Sequence, residues 1–282
     1  FREGVGGGEN IALAVVKALR QRGHRVLVCA VSGHDDTDFL RISPEETARA
    51  AKDWGAELLI DWGIRVDADV HYLHGAPHKL FLEYALHATP RWLRWWKRWE
   101  FALKGKHRKA IAEQDVFFRE KKAAYLAVSH FVAKQVAEVT RPLQPDIRVL
   151  HNPVDTNRFS PEVCKGLRAG MRRKLGLPED AVVFVWVAHN VRLKNLSLLL
   201  RIFPEIYRRN PMARLLVGGK RKPKRAAPWL VYAGPMERPE EAYAAADGML
   251  HPTFYDTFAN VVTEAMACEL PVLCSDRAGA AE

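Results

Sequence analysis

Apolar residues return at helical spacing at Ile11, Val15, Ala18 and Leu19, just after Gly6-Gly7-Gly8-Glu9-Asn10 and just before Gly23. That stripe predicts a helix with one buried face and Gly23 as its stop. Arg25 to Val31 then forms a short apolar run, predicted as a buried strand. A glycine loop, a helix, a glycine and a strand make one unit of a doubly wound sheet, and the strand expected ahead of the glycines is missing. Leu58 to Trp62, Val70 to Leu73, Tyr125 to Ser129 and Ile147 to Leu150 predict further strands, with a helix over Phe131 to Thr140.

Residues His151 to Pro161 carry the Asn, Pro and Asp content of an ordered turn. Beyond it the α/β pattern restarts. Strands are predicted over Val182 to Ala188, Arg214 to Gly218, Trp229 to Ala233 and Gly248 to His251, and helices over Leu196 to Arg208 and Pro239 to Ala246. The two halves share an architecture without a sequence repeat. The fold class expected is α/β, with two Rossmann-like doubly wound domains facing a cleft, over residues 1–156 and 157–282. The chain opens and closes in the middle of a pattern, so it reads as a fragment lacking its first strand and its C-terminal end.

Thr89 to Leu103 breaks from this alternation. Thr89 is a plausible N-cap and Pro90 a good first helical residue. Trp92, Trp95, Trp96, Trp99 and Leu103 fall on one stripe, while Arg91, Arg94, Lys97 and Arg98 flank or oppose it. Such a helix either packs its tryptophans on the core or lies on an anionic membrane surface. The density of tryptophan and charge favours membrane contact by Trp92, Trp95, Trp96, Trp99, Arg94 and Arg98.

Composition narrows the partners. A formal charge of +10 over 282 residues points to anionic ligands: nucleotides, acidic lipids or nucleic acid. Nothing resembles a nucleic-acid-binding module, so none is expected as partner. Cys29, Cys164, Cys268 and Cys274 have no metal-ligand spacing and read as buried thiols in a reducing compartment. No metal is expected. No apolar run reaches the ~18 residues of a membrane span, and no signal peptide is read. Lys220 to Arg225 reads as a solvated basic loop.

The candidate chemistry gathers near the end of the chain. Asp256 and Glu264 stand eight residues apart, the first in a loop and the second about two turns into a helix. The rise of a helix separates them by roughly 10 Å. Backbone amides near Phe258, Ala259 and Asn260 would face whatever lies between, and a helix N-terminus favours an anion such as a diphosphate. Arg192 and Lys194 follow the strand ending at Ala188, at the edge where open α/β sheets bind ligands.

The stretch from His251 through Asp256, Glu264 and Leu270-Pro271-Val272 to Gly279 resembles the acid-x7-acid signature of the retaining glycosyltransferases of family 4, the glycosyl transferases of group 1, which have the GT-B fold. Asp256 stands where that family usually has Glu. The resemblance implies that Asp256 contacts the donor sugar and that Glu264 binds the ribose. It implies that Arg192 and Lys194 clamp the diphosphate, with Phe258 and Ala259 at the helix start and Gly7 and Gly8 in a loop across the cleft. Ala188 and Asn195 occupy positions where the family often has Gly. A histidine at the end of the Val70 to Leu73 strand would reach the sugar; His74 is the better match and His71 the alternative. The order of Asp69-Val70-His71-Tyr72, the Arg/aromatic helix and the Tyr125 strand is similar to that of lipopolysaccharide core glucosyltransferases, which are peripheral on the inner face of the cytoplasmic membrane.

That resemblance implies hexose transfer from a nucleotide-sugar, UDP-glucose first, to a lipid-linked saccharide such as lipopolysaccharide core, with no cofactor. GDP-mannose as donor, or a non-catalytic basic membrane-binding protein of the same fold, are the alternatives.

Overall fold

The computed structural model describes residues 7–31, 39–75, 77–120, 124–141 and 145–282. Gly6 of the expected glycine loop lies outside them. Two compact units make up the chain: Phe1–Leu80 with Lys104–Pro153, and Phe81–Leu103 with Val154–Glu282.

In the first unit α1 (Gly7–Gln21) is followed by β1 (Val28–Ala30), β2 (Phe39–Arg41), α2 (Pro44–Trp54), β3 (Ile60–Asp61) and β4 (Val70–Leu73). α3 (His78–His87) crosses from this unit into the second, which also holds a 3-10 turn (Arg91–Leu93) and α4 (Arg94–Leu103). The first unit resumes with α5 (Gly105–Glu120), β5 (Ala124–Ala127), α6 (His130–Val139) and β6 (Ile147–Val149).

The glycines expected in a loop open α1 instead. A first helical turn has N–H groups without intrahelical acceptors in any case, so Gly7 and Gly8 weaken it less there than in its interior. α2, which apolar periodicity does not predict, starts on a capping box: Glu46 Oε2 accepts from the Ser43 backbone N–H at 3.2 Å, and Pro44 takes the first position. The strands are parallel but fall in two sheets, β1–β2 and β3–β4–β5–β6. A cavity of about 1150 Å³, lined by Val28 and Ile60 among others, lies between them.

The second unit continues with α7 (Pro161–Lys174), β7 (Val182–Val187), α8 (Leu196–Arg209), β8 (Ala213–Gly218), β9 (Leu230–Gly234), α9 (Pro239–Ala245), β10 (Gly248–His251), α10 (Asn260–Ala267), β11 (Val272–Cys274) and a final 3-10 turn, Gly279–Ala281. Its five strands lie in the order β11-β10-β7-β8-β9, all parallel. Counted from β7 this is the doubly wound nucleotide-binding order, and it reverses direction between β7 and β10. Val183, Val185, Trp186, Leu215, Leu216 and Val217 are wholly buried, which is why both central strands read as nearly continuous apolar runs. Arg172, also buried, bonds Asp247 at 2.7 Å and the carbonyls of Glu179, Ala181 and Ala245, tying α7 beneath the sheet.

Gly219 follows β8 directly, next to the end of β7. Its φ is +155°, and a Cβ there would stand 2.3 Å from the Ala188 carbonyl oxygen. Only a residue without a Cβ fits beside the start of the loop after β7.

The aromatic helix differs from expectation at its start. Thr89 is buried and bonds back to Ala85 at 3.1 Å, and the chain makes the 3-10 turn before α4 begins at Arg94. Arg94 spends its guanidinium on the carbonyls of Thr89 at 3.0 Å and His87 at 3.1 Å, so it closes the end of α3. Trp92, Trp95, Trp96, Trp99 and Leu103 are 73, 62, 61, 62 and 76% exposed. Among the described residues the stripe is not part of the core. Cys164 and Cys268 are buried as expected, whereas Cys29 and Cys274 are only half-buried.

Candidate functional site

The reversal of strand order fixes where the second unit's chemistry converges. In open α/β sheets, ligands bind outside the carboxyl ends of the two strands on either side of the reversal. Here those strands are β7 and β10. The loop leaving β7 carries Arg192 and Lys194; the loop leaving β10 carries Asp256 and leads into α10 with Glu264.

The two loops are bonded to each other. Phe254 N–H donates to the Leu193 carbonyl at 2.9 Å, and Thr253 Oγ1 donates to the same oxygen at 3.1 Å. Trp186, buried in β7, donates its indole N–H to the Lys194 carbonyl at 3.1 Å. Asn195 then turns the chain into α8 with φ 55°. Asn tolerates this left-handed conformation better than other residues with a Cβ, so it serves where Gly would be ordinary.

Lys194 and Asp256 form an ion pair, with each side chain 17% exposed. The ammonium also donates to the Tyr255 carbonyl at 3.1 Å. His251 Nε2 lies 3.4 Å from Asp256 Oδ2, the same oxygen that Lys194 engages. Burial alone would raise the Asp256 pKa, but His251 and Lys194 outweigh it and leave it at about 2. The backbone of Asp256 is clamped too: its N–H donates to Arg277 O at 2.9 Å, and its carbonyl accepts from Gly279 N–H at 3.0 Å. Arg192 is exposed, with no side-chain partner among the described residues.

Glu264 accepts a 2.8 Å hydrogen bond on Oε2 from Tyr243, which is buried in α9. Burial is the main cause of its raised pKa, opposed by Tyr243 and by the Arg158 charge. Both acids thus have one oxygen held by the protein. Neither Asp256 Oδ1 nor Glu264 Oε1 takes a hydrogen bond from the described residues.

α10 begins on Ala259 at φ 74°, a left-handed residue whose methyl offers no acceptor to the helix's opening amides. Phe258 and Ala259 are buried at this start, and Ala280 N–H donates to Phe258 O at 2.6 Å. An anion at such an end would meet both amide donors and the positive end of the helix dipole.

Gly7, Gly8 and His74 belong to the first unit. The His74 ring lies 3.4 Å from where a Cβ on Gly8 would stand, so the expected glycine and histidine are neighbours. Desolvation is the main cause of the lowered His74 pKa, which keeps its imidazole neutral at pH 7. His71 is fully buried, with Nδ1 3.2 Å from Asp61 and 3.3 Å from Gly63 O. Of the two histidines, His74 is the accessible one.

Sequence reasoning missed His251 and Tyr243. Each sits inside an element, at the end of β10 and within α9, and only the packing places it against an acid.

Residues 180–282 match the family of glycosyl transferases group 1. The matched segment is the part of the chain that contains both acids and both candidate cations. Among curated proteins, a D-inositol 3-phosphate glycosyltransferase of Thermobifida fusca is 31% identical over 143 residues, which cover 43% of this chain and 32% of that protein. The chain therefore spans about a third of that relative's length. Among solved structures, WaaG, a glycosyltransferase involved in lipopolysaccharide biosynthesis, matches with a TM-score of 0.72 at 19% identity, over 97% of this chain and 79% of that one. HepE of Anabaena, solved in complex with UDP, matches with a TM-score of 0.61 at 16% identity, over 98% of this chain and 79% of that one. The same protein has been solved with UDP-glucose. The fold of this chain is the GT-B fold of glycosyltransferases, built from two Rossmann-like units.

Proposed function

We propose that this protein is a retaining glycosyltransferase that moves a hexose from a nucleoside-diphosphate sugar to a lipid-linked saccharide. The observation that carries the reading is the meeting of Lys194 and Asp256 from the loops after β7 and β10, the two strands where the sheet order reverses. The group 1 match over the same residues supports it. The HepE complexes support a uridine nucleotide, with UDP-glucose as first choice of donor.

In this reading Glu264 accepts hydrogen bonds from the ribose hydroxyls on Oε1. Asp256 takes a hydroxyl of the sugar on Oδ1. Arg192, Lys194 and the opening amides of α10 face the diphosphate. As the sugar–phosphate bond breaks, negative charge grows on the departing diphosphate. Fixed cations and amide dipoles aimed at that charge lower the barrier. The sugar passes through an oxocarbenium-like state, as in glycoside hydrolysis. A diphosphate oxygen accepts the proton of the attacking hydroxyl on the same face, so configuration is retained and the chain needs no general base.

The exposed tryptophans of the 3-10 turn and α4 bring the enzyme to its acceptor. They lie on an anionic membrane surface, with Arg98 and neighbouring cations toward the headgroups. No helix of the described residues is long and apolar enough to cross a membrane.

The test is product mass spectrometry. The purified protein is incubated with UDP-glucose, other UDP-sugars or GDP-mannose, each with a lipid-linked saccharide, and hydrogen exchange is followed in parallel. The expected result is a hexose added from UDP-glucose and donor protection of residues 186–264. Transfer from GDP-mannose alone would overturn the donor assignment. No transfer and no protection with any donor would overturn the enzymatic reading.

A further inference from the structure

His251 is the last residue of β10 and is wholly buried. Its carbonyl accepts from Thr253 N–H at 2.9 Å and Ser275 N–H at 3.2 Å, so its backbone is pinned at the sheet edge. Neither ring nitrogen makes a full hydrogen bond among the described residues. A buried imidazole without a well-formed hydrogen bond is costly, and its presence calls for a reason. The nearby acceptor is Asp256 Oδ2, 3.4 Å from Nε2, a long contact for a hydrogen bond.

Lys194, from the loop after β7, places its positive charge on the same carboxylate oxygen. Cys274, paired in register with His251 on β11, adds no cation. With hydrogen on Nε2 the ring turns its donor toward Asp256 Oδ2, 3.4 Å away, and leaves Nδ1 as an unpaired acceptor among the described residues. The other tautomer would bury a donor with nothing to accept it.

Resting on the glycosyltransferase reading above, we infer that His251 is the positioning residue for Asp256: with Lys194 it engages Oδ2, holds the shortened acid in place and leaves Oδ1 to accept a hydroxyl of the donor sugar. An Asp side chain has one methylene fewer than the Glu usual in family 4. Two groups on one oxygen fix its rotation as well as its charge. A single ion pair with flexible Lys194 would leave the carboxylate free to turn. His251 touches neither donor nor acceptor; it acts through Asp256.

The experiment compares His251→Gln with His251→Phe. Glutamine's amide nitrogen reaches the position of Nε2, whereas phenylalanine keeps the volume and removes the donor. In His251→Phe, kcat for hexose transfer is expected to fall roughly tenfold to a hundredfold, the range for losing a hydrogen bond to a charged group. UDP affinity should change less than kcat, because in this reading Asp256 faces the sugar rather than the ribose or the diphosphate. His251→Gln should recover most of kcat. Titration of the Asp256 carboxyl by carbon NMR should show a higher pKa in His251→Phe than in the parent and a near-parent value in His251→Gln. Equal kcat losses in the two variants, or an unmoved Asp256 titration in His251→Phe, overturn the inference. If His251→Phe does not fold, His251→Asn replaces it, since its shorter amide cannot reach Oδ2. A parent protein that transfers no sugar sinks the glycosyltransferase reading, while the carboxyl titration still decides the link between His251 and Asp256.

Discussion

Tyr243 donates its hydroxyl hydrogen to Glu264 across 2.8 Å, so the second acid of the motif is anchored from α9 rather than from its own helix. Tyr243 is buried and its own pKa is raised well above the usual value, mainly by desolvation, so it remains a donor throughout the neutral range. The acid it holds is buried, and desolvation raises its pKa.

Glu264→Gln should therefore separate stability from binding. The folded-state pKa of Glu264 is raised, so between the unfolded and folded values the native protein binds a proton that the unfolded chain has released. That contribution to stability is complete below the unfolded value of about 4.3 and fades as pH rises through the folded value. The amide carries no charge to desolvate. Thermal unfolding at pH 7 should show Glu264→Gln at least as stable as the parent. Calorimetry should show UDP binding weakened by about 1.5–3 kcal/mol. A variant that loses stability yet binds UDP normally would contradict both parts.

Asp256→Asn should behave in the opposite way. The folded-state pKa of Asp256 is depressed to about 2, so its ion pair contributes stability above the unfolded value, and that contribution is lost as pH falls through 2. Replacing the acid leaves Lys194 without its counter-charge. The expected loss at pH 7 is roughly 2 kcal/mol, and the gap between variant and parent should narrow on acidification. Denaturant titrations between about pH 7 and pH 3 measure this. Turnover should fall more than UDP affinity.

The two cations after β7 should part company in the same way. Arg192 is exposed and engages nothing among the described residues, so Arg192→Ala should leave unfolding within about 0.5 kcal/mol of the parent. Lys194→Ala strands the Asp256 carboxylate and should lower the melting temperature. Both should weaken UDP binding. Equal stability of the two variants would mean that the ion pair adds nothing to the fold.

The tryptophan surface gives the fourth expectation. Trp95 and Trp99 are each 62% exposed, so Trp95→Ser with Trp99→Ser removes little packing. The melting temperature should hold. Sedimentation with anionic liposomes should fall sharply, and the parent's binding should weaken with salt, because the Debye length shrinks from about 10 Å at 0.1 M to about 3 Å at 1 M. A lower melting temperature with unchanged lipid binding would mean that the stripe packs on protein after all.

The sequence by itself determined most of the local elements and named the candidate site groups. β7 and β8 are legible as runs of buried Val, Leu and Trp, and α8 as an amphipathic stripe, because burial writes its period directly into the chain. Asp256, Glu264 and Lys194 are legible through spacing and through the strand ends they follow. The polar helices were less so. α2, α5 and α7 bury few residues, so their apolar period is faint. Start signals such as Ser43-Pro44 and Ser160-Pro161 mark two of them all the same.

Tertiary structure decided the rest. Whether the tryptophan stripe faces core or solvent cannot be read from its period, which is the same in both cases; only the packing leaves it exposed. Lys194 and Asp256 are 62 residues apart in sequence and meet because the strand order reverses between β7 and β10. His251 and Tyr243 look like ordinary residues of a strand and a helix until that arrangement brings an acid to each. A chain records what each segment prefers locally. It does not record which distant charge will share a desolvated site, because that energy exists only once the sheet has formed.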